Sequence, residues 1–237
     1  MTLVAAFRCR NDGILLCADR EEDNDISKRS IEKIYRIRDF IPCEVFIVGS
    51  GLTSTITNTC VEVHKSLKTS SDKGADILSD HRAIIESSLK EIYEKYAEDL
   101  KEVAMYLLVV VAPRAIGSIP LLYRTEGRAL VPEQFYFSHG SGKTVSDYLA
   151  DRLYKHGLDK SALGFLAAFI FREAANSSSG VGLGTDMVFI NEGDKCLHFV
   201  PPDAVRKIET NMPSLADAIY TYWKENARVP EWLMERD

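Results

Sequence analysis

Nowhere in this 237-residue sequence does an apolar run reach the ~20 residues that a bilayer-spanning helix needs. The longest runs, Val103–Ala112 and Ala162–Phe171, fall well short, so no membrane role is expected. The start has no basic segment leading into an apolar stretch and a cleavage site, which argues against a secretion signal and for a cytoplasmic location. Positive charge is not in excess. The 29 Lys and Arg residues stand against 35 Asp and Glu, and a net charge of −6 offers no footprint for nucleic acid. Cysteine is sparse: Cys9, Cys17, Cys43, Cys60 and Cys196 are odd in number, scattered and mostly set in apolar runs. They read as reduced core residues rather than a disulfide framework. The five histidines lack metal-ligand spacing, so neither a metal nor a cofactor is expected. Internal repeats and low-complexity linkers are missing as well. With 46% apolar and 27% charged residues, the chain suits one sizeable core and a single domain over residues 1–237.

What the sequence does have is concentrated at its start. Thr2–Arg10 reads as a strand rich in small and β-branched residues. Asn11-Asp12-Gly13 is a tight-turn signal, since these residues tolerate positive φ. Ile14–Asp19 is the returning strand, apolar until it ends on a carboxylate. Removal of Met1, favoured by the small residue after it, leaves Thr2 with a free α-amine beside its hydroxyl. The reference pKa of such an amine is roughly 7.7–8.0, so a fraction is a neutral base at cellular pH. It can take the hydroxyl proton, directly or through water, as the threonine attacks a carbonyl. Lys33 adds charge that favours the alkoxide, and Asp19 holds the lysine in place.

Beyond Asp19, the acidic run Glu21–Asp25 reads as a solvated loop. Cys43–Val48 is a further strand, closed by Gly49-Ser50-Gly51. Helical spacing marks Ile56, Cys60, Val63 and Leu67, then Ile85, Leu89, Ile92, Tyr93 and Tyr96, with a turn at Ser70–Gly74 between them. Strands follow at Ala104–Ala112, Ile119–Arg124 and Gln134–Ser138. A second helix pair carries Val145, Tyr148, Leu149 and Leu153, then Leu163, Leu166 and Ile170. Strands Met187–Asn191 and Cys196–Val200 come next, and a last helix carries Leu215, Ile219, Tyr222 and Trp223. Two facing sheets with a helix pair outside each would bury all these faces, an α+β, four-layer αββα sandwich. Gly140–Thr144 mimics the end of a phosphate-binding loop, but that loop needs a glycine where Phe137 stands.

The order Thr2, strand, hairpin, Ala18-Asp19-Arg20, then Lys33-Ile34-Tyr35 resembles the proteasome β-subunit family of N-terminal nucleophile hydrolases. The bacterial HslV and Anbu types share this pattern. The resemblance implies the same αββα fold and a set of roles. Thr2 is nucleophile and, through its amine, base; Asp19 orients Lys33. The backbone N–H of Gly49 serves the oxyanion, and Ile47 forms the base of an apolar first specificity pocket. Ser141, in Gly140-Ser141-Gly142, bonds the N-terminal amine. Asn176 and Ser179 take the places of an aspartate and a serine; asparagine keeps the hydrogen bonding and loses the charge. The implied activity is threonine-type peptidase or amidohydrolase chemistry through an acyl-enzyme, on a peptide or protein substrate, in a homo-oligomeric ring or stack. The resemblance names no ATP-dependent unfoldase partner. Two other readings stay open. One is a non-catalytic ring subunit, since Ser30-Ile31-Glu32-Lys33-Ile34 resembles the corresponding segment of proteasome α subunits. The other is a small-amide hydrolase or transpeptidase of the same superfamily.

Overall fold

The computed structural model describes residues 2–23, 28–38, 42–102, 104–191 and 197–213, with positions 217, 218, 221 and 225 beyond. In chain order the elements begin with β1 (Leu3–Arg8), β2 (Ile14–Asp19), β3 (Glu21–Asp23), β4 (Lys28–Ser30), β5 (Tyr35–Ile37) and β6 (Cys43–Ser50). Helices α1 (Thr53–Asp72), α2 (Ile77–Lys95) and α3 (Ala97–Glu102) follow. Then come β7 (Tyr106–Pro113), β8 (Leu121–Glu126), β9 (Ala129–Pro132) and β10 (Tyr136–Gly140). Helices α4 (Lys143–Leu153) and α5 (Lys160–Ser177), strands β11 (Thr185–Ile190) and β12 (Leu197–Val200), and helix α6 (Pro202–Asn211) complete the series.

Two antiparallel sheets face each other. One has the order β10-β1-β2-β11-β12 and the other β5-β6-β7-β8-β9. Strand alternation divides the apolar residues between layers. Val4 and Ala6 of β1, Leu16 of β2, and Phe46 and Val48 of β6 meet in a core between the sheets. Leu3, Ala5 and Phe7 face the other way, into a core shared with α4, α5 and α6. Val45 and Ile47 pack outward with Ile56, Cys60, Val63 and Leu67 of α1 and Ile85 and Leu89 of α2. Burial on both faces explains why β1, β2 and β6 are near-continuous apolar runs. The arrangement is the expected α+β, four-layer αββα sandwich.

Local details depart from the sequence reading where pairing and packing override it. The turn after β1 is a 3-10 turn at Arg10–Asp12, and the positive φ falls on Asp12 (57°) rather than on Gly13 (−67°). Gly13 is small for another reason: a Cβ there would lie 2.6 Å from Cys9 Sγ. The acidic run is not simply a loop, because Glu21–Asp23 pairs with Lys28–Ser30 as a two-stranded ribbon. Gly49 and Ser50 lie within β6 rather than after it, and the left-handed turn residue is Gly51, at φ 132°. On α4, Tyr148 and Leu153 are exposed, and Ser146, Leu149 and Ala150 take the buried face. Short strands β5 and β9 and helices α3 and α6 were not legible as elements. Asn24, Asp25, Cys196 and the helix expected around Leu215, Ile219, Tyr222 and Trp223 lie outside the described residues.

Candidate active site

Thr2 precedes β1 and is buried, with 6% of its surface exposed. Its carbonyl is pinned from β10 and the turn after it. Ser141 donates to the Thr2 carbonyl from its backbone N–H at 2.8 Å and from its hydroxyl at 3.3 Å. This closeness requires glycine at 140: φ is 119°, and a Cβ would stand 1.9 Å from the Thr2 carbonyl oxygen. The register that sets Leu3 opposite Gly140, and Val4 opposite Ala18 of β2, brings the ends of β1, β2 and β10 together.

Asp19 ends β2 and is 1% exposed. Its Oδ1 accepts from the Leu3 N–H at 2.8 Å and from Lys33 Nζ at 2.9 Å, and the Thr2 hydroxyl donates to the same oxygen. Its Oδ2 accepts from the N–H groups of Glu21 at 3.1 Å and Gly182 at 3.4 Å. Lys33 lies in the short segment between β4 and β5. Its Nζ donates to Thr2 Oγ1 at 2.6 Å and to Asp19, and its third bond goes to the Glu21 carbonyl. An ammonium has three donors and no acceptor, so these three partners use it fully. Burial pushes the Lys33 pKa below the ordinary lysine value, and Asp19 pulls in the opposite direction. The Thr2 hydroxyl is thus held between a carboxylate that accepts its proton bond and a lysine that donates to its oxygen.

The other expected site residues lie on β6, in the turn after β10 and at the end of α5. Gly49 sits in β6 opposite Leu107, and a Cβ there would meet Leu107 Cδ2 at 2.6 Å. Its neighbour Val48 shares the inter-sheet core with Val4, so β6 faces the start of β1. Ile47 is wholly buried beneath the helices, in register with Tyr35. The hydroxyl of Ser141 bonds the Thr2 carbonyl. Asn176, near the end of α5, and Ser179, just beyond it, have exposed side chains. Among the described residues, neither side chain bonds to Thr2, Asp19 or Lys33.

Sequence reading gave no role to Gly182, in the stretch Gly180–Gly184. Gly182 reaches Asp19, and a Cβ there would meet Glu21 Oε2 at 2.8 Å. The Arg20 N–H bonds the carbonyls of Gly182 at 3.2 Å and Gly184 at 3.0 Å, which holds Leu183 at φ 55°. A cavity of about 100 Å³ lies behind Asp19, lined by Val181, Gly182, Leu183, Thr185 and Glu209 among others. The only available signal was three glycines at alternate positions. Among the described residues, no group of three or more His, Cys, Asp or Glu side chains is arranged to hold a metal ion, and no helix is long and apolar enough to cross a membrane.

Two facing antiparallel sheets, helices outside both, and a threonine ahead of the first strand beside an aspartate and a lysine define the N-terminal nucleophile hydrolase architecture. Within that class the chain belongs to the proteasome subunit family, whose model matches residues 2–190. No curated protein matches the sequence. Among solved structures, Anbu, an ancestral β-subunit from Yersinia bercovieri, superposes with a TM-score of 0.78 at 10% identity, over 96% of this chain and 99% of that one. The Anbu (Gly-1) mutant from Hyphomicrobium sp. strain MC1 gives a TM-score of 0.77 at 13% identity, over 97% of this chain and all of that one. A helical assembly of the Anbu complex from Pseudomonas aeruginosa gives a TM-score of 0.74 at 13% identity, over 97% and 99%. At these identities the likeness establishes the fold.

Proposed function

We propose that this chain is a threonine-type peptidase or amidohydrolase whose nucleophile is Thr2 after removal of Met1. The observation that carries the reading is Lys33 Nζ at 2.6 Å from Thr2 Oγ1, with Asp19 bonded to both. Thr2 Oγ1 attacks the substrate carbonyl, and its proton passes to the freed α-amine, directly or through a water. The positive charge of Lys33 lowers the cost of the developing alkoxide. Gly49 N–H serves the oxyanion, and Ile47 forms the floor of an apolar first pocket. Collapse of the tetrahedral intermediate breaks the C–N bond, and the proton leaves with the departing amine. Water then adds to the ester and restores the Thr2 hydroxyl. Asn176 and Ser179, exposed at and just beyond the end of α5, keep a supporting role that needs no bond to Thr2, Asp19 or Lys33, and Ser141 steadies Thr2 from the β10 side. The proposed location is cytoplasmic. The P. aeruginosa Anbu complex forms a helical assembly, which supports assembly of this chain into a homo-oligomer as well.

The test is intact mass of protein with an untagged N-terminus, before and after a threonine-directed peptide epoxyketone. Loss of Met1 and gain of one adduct, both adduct and peptide hydrolysis vanishing in Thr2→Ala, is the expected result. Retained methionine with no adduct would favour the second reading, a non-catalytic ring subunit. The exposed side chains of Asn176 and Ser179 are what keep that reading in view.

A further inference from the structure

Outside the Thr2 cluster, one polar contact joins the two sheets at the same end of the sandwich. Ser50, the last residue of β6, shares a 2.7 Å hydrogen bond with Nδ1 of His139 on β10. Among the described residues, no other hydrogen bond between side chains links a strand of one sheet to a strand of the other. The His139 ring also stacks on Tyr106, with centroids 3.6 Å apart and planes 21° apart. Tyr106 is the register partner of Ser50, so His139 grips both members of the last β6–β7 rung.

The neighbours of this contact give it meaning. Ser50 follows Gly49, the proposed oxyanion donor. His139 precedes Gly140 and Ser141, which fix the Thr2 carbonyl. The contact therefore spans the two halves of the proposed chemistry, nucleophile on one sheet and oxyanion donor on the other. A serine bonded to a histidine also resembles a hydrolase dyad. Ser50, however, is only 3% exposed, which leaves its hydroxyl no path to a substrate carbonyl. Burial, and then Lys143, push the His139 pKa below the usual value, although Asp147 opposes them. The ring is thus mainly uncharged at neutral pH.

Resting on the reading of Thr2 as nucleophile, we propose that Ser50 and His139 are positioning residues that hold the Gly49 N–H at working distance from Thr2. Neither touches the reacting atoms. They act by stopping the C-terminal end of β6 from drifting away from β1 and β10, where small displacements are costly for a reaction that depends on fixed donors.

The test uses the full-length, untagged protein in its native assembly, with a peptide epoxyketone as probe. Adduct formation is followed by intact mass as a function of probe concentration, which separates the limiting rate from the half-saturating concentration. Ser50→Ala and His139→Phe should each lower the limiting rate by about tenfold or more, the scale expected for displaced donors. The half-saturating concentration and the melting temperature should stay close to wild type. His139→Asn presents an amide group where Nδ1 stood and should recover most of the rate. Wild-type rates in both Ser50→Ala and His139→Phe would overturn the positioning role and leave the nucleophile assignment standing. So would His139→Asn being as slow as His139→Phe. Absence of an adduct on the wild-type protein would overturn the nucleophile assignment itself, and this role with it.

Discussion

Lys33 faces opposing demands: burial disfavours its charge, whereas Asp19 and the Thr2 oxygen favour it. Burial is the larger influence, so the folded-state pKa lies below the unfolded value of roughly 10.4. Between those two values the unfolded chain holds more protons than the folded one, and stability rises with pH. Lys33→Met removes this contribution. The urea midpoint of wild type relative to Lys33→Met should therefore shift in favour of wild type as pH rises from neutral toward that limit. A shift in the opposite direction would mean that Asp19 outweighs burial. On activity, the same variant should lose roughly 10²–10³-fold in peptide hydrolysis, the usual span for removing a donor that stabilises developing negative charge. The cysteines make a separate residue-level case. Burial pushes Cys43 up to about 11 and Cys60 up to about 12. Almost no reactive thiolate exists at either site at pH 8. Iodoacetamide at pH 8 should leave the peptides carrying Cys43 and Cys60 unmodified in the native protein and label both in urea, as peptide mass mapping would show. Native labelling of Cys60 at the denatured rate would contradict its burial.

Among the elements, β10 and its exit turn matter most to Thr2, and glycine substitutions separate two costs there. Gly140 and Gly157 both have positive φ, at 119° and 94°. Alanine at either should cost about 1–3 kcal/mol of backbone strain. Only at Gly140 does the added carbon strike the Thr2 carbonyl; at Gly157 nothing lies within 4 Å. Gly140→Ala should therefore abolish the epoxyketone adduct, while Gly157→Ala, destabilised through its backbone alone, keeps it. Intact mass and thermal melts on the pair check this. The same stretch shows what a sequence discloses. β1, β2 and the buried stripes of α1 and α2 were readable because their apolar spacing is a local property. Thr2, Asp19 and Lys33 were readable through a known pattern of residues. The β3–β4 ribbon was hidden because pairing across a gap leaves no periodicity, and its charges suggested solvent. Gly182 was hidden because its contact with Asp19 arises only when the 180–184 loop folds back over β2. Asn176 and Ser179 fitted a motif, but α5 runs on to Ser177 and leaves both side chains at the surface.

For the whole molecule, the layered construction ties the proposed chemistry to one core more than to the others. Asp19 belongs to one sheet, with Thr2 at the head of its β1, and Gly49 to the other, and the inter-sheet core sets the spacing between the two sheets. Phe46 is a fully buried member of that core, whereas Leu67, on the buried face of α1, is equally buried on the far side of the second sheet. Truncating either leaves a cavity: Phe46→Ala should cost about 3–5 kcal/mol and Leu67→Ala about 2–5 kcal/mol. Stability alone would therefore not separate them. Catalysis should. A cavity between the sheets lets the donor strand and the nucleophile strand settle closer or rotate, so Phe46→Ala should lower the limiting rate of adduct formation while the protein is still folded. Leu67→Ala disturbs only how α1 rests on β6, and its folded fraction should react at the wild-type rate. Urea titration gives the stability of each variant, and adduct kinetics measured well below the unfolding midpoint give the rate. Equal rates for the two would mean that the spacing of the sheets does not govern the reaction, and that the geometry at Thr2 is set within its own sheet.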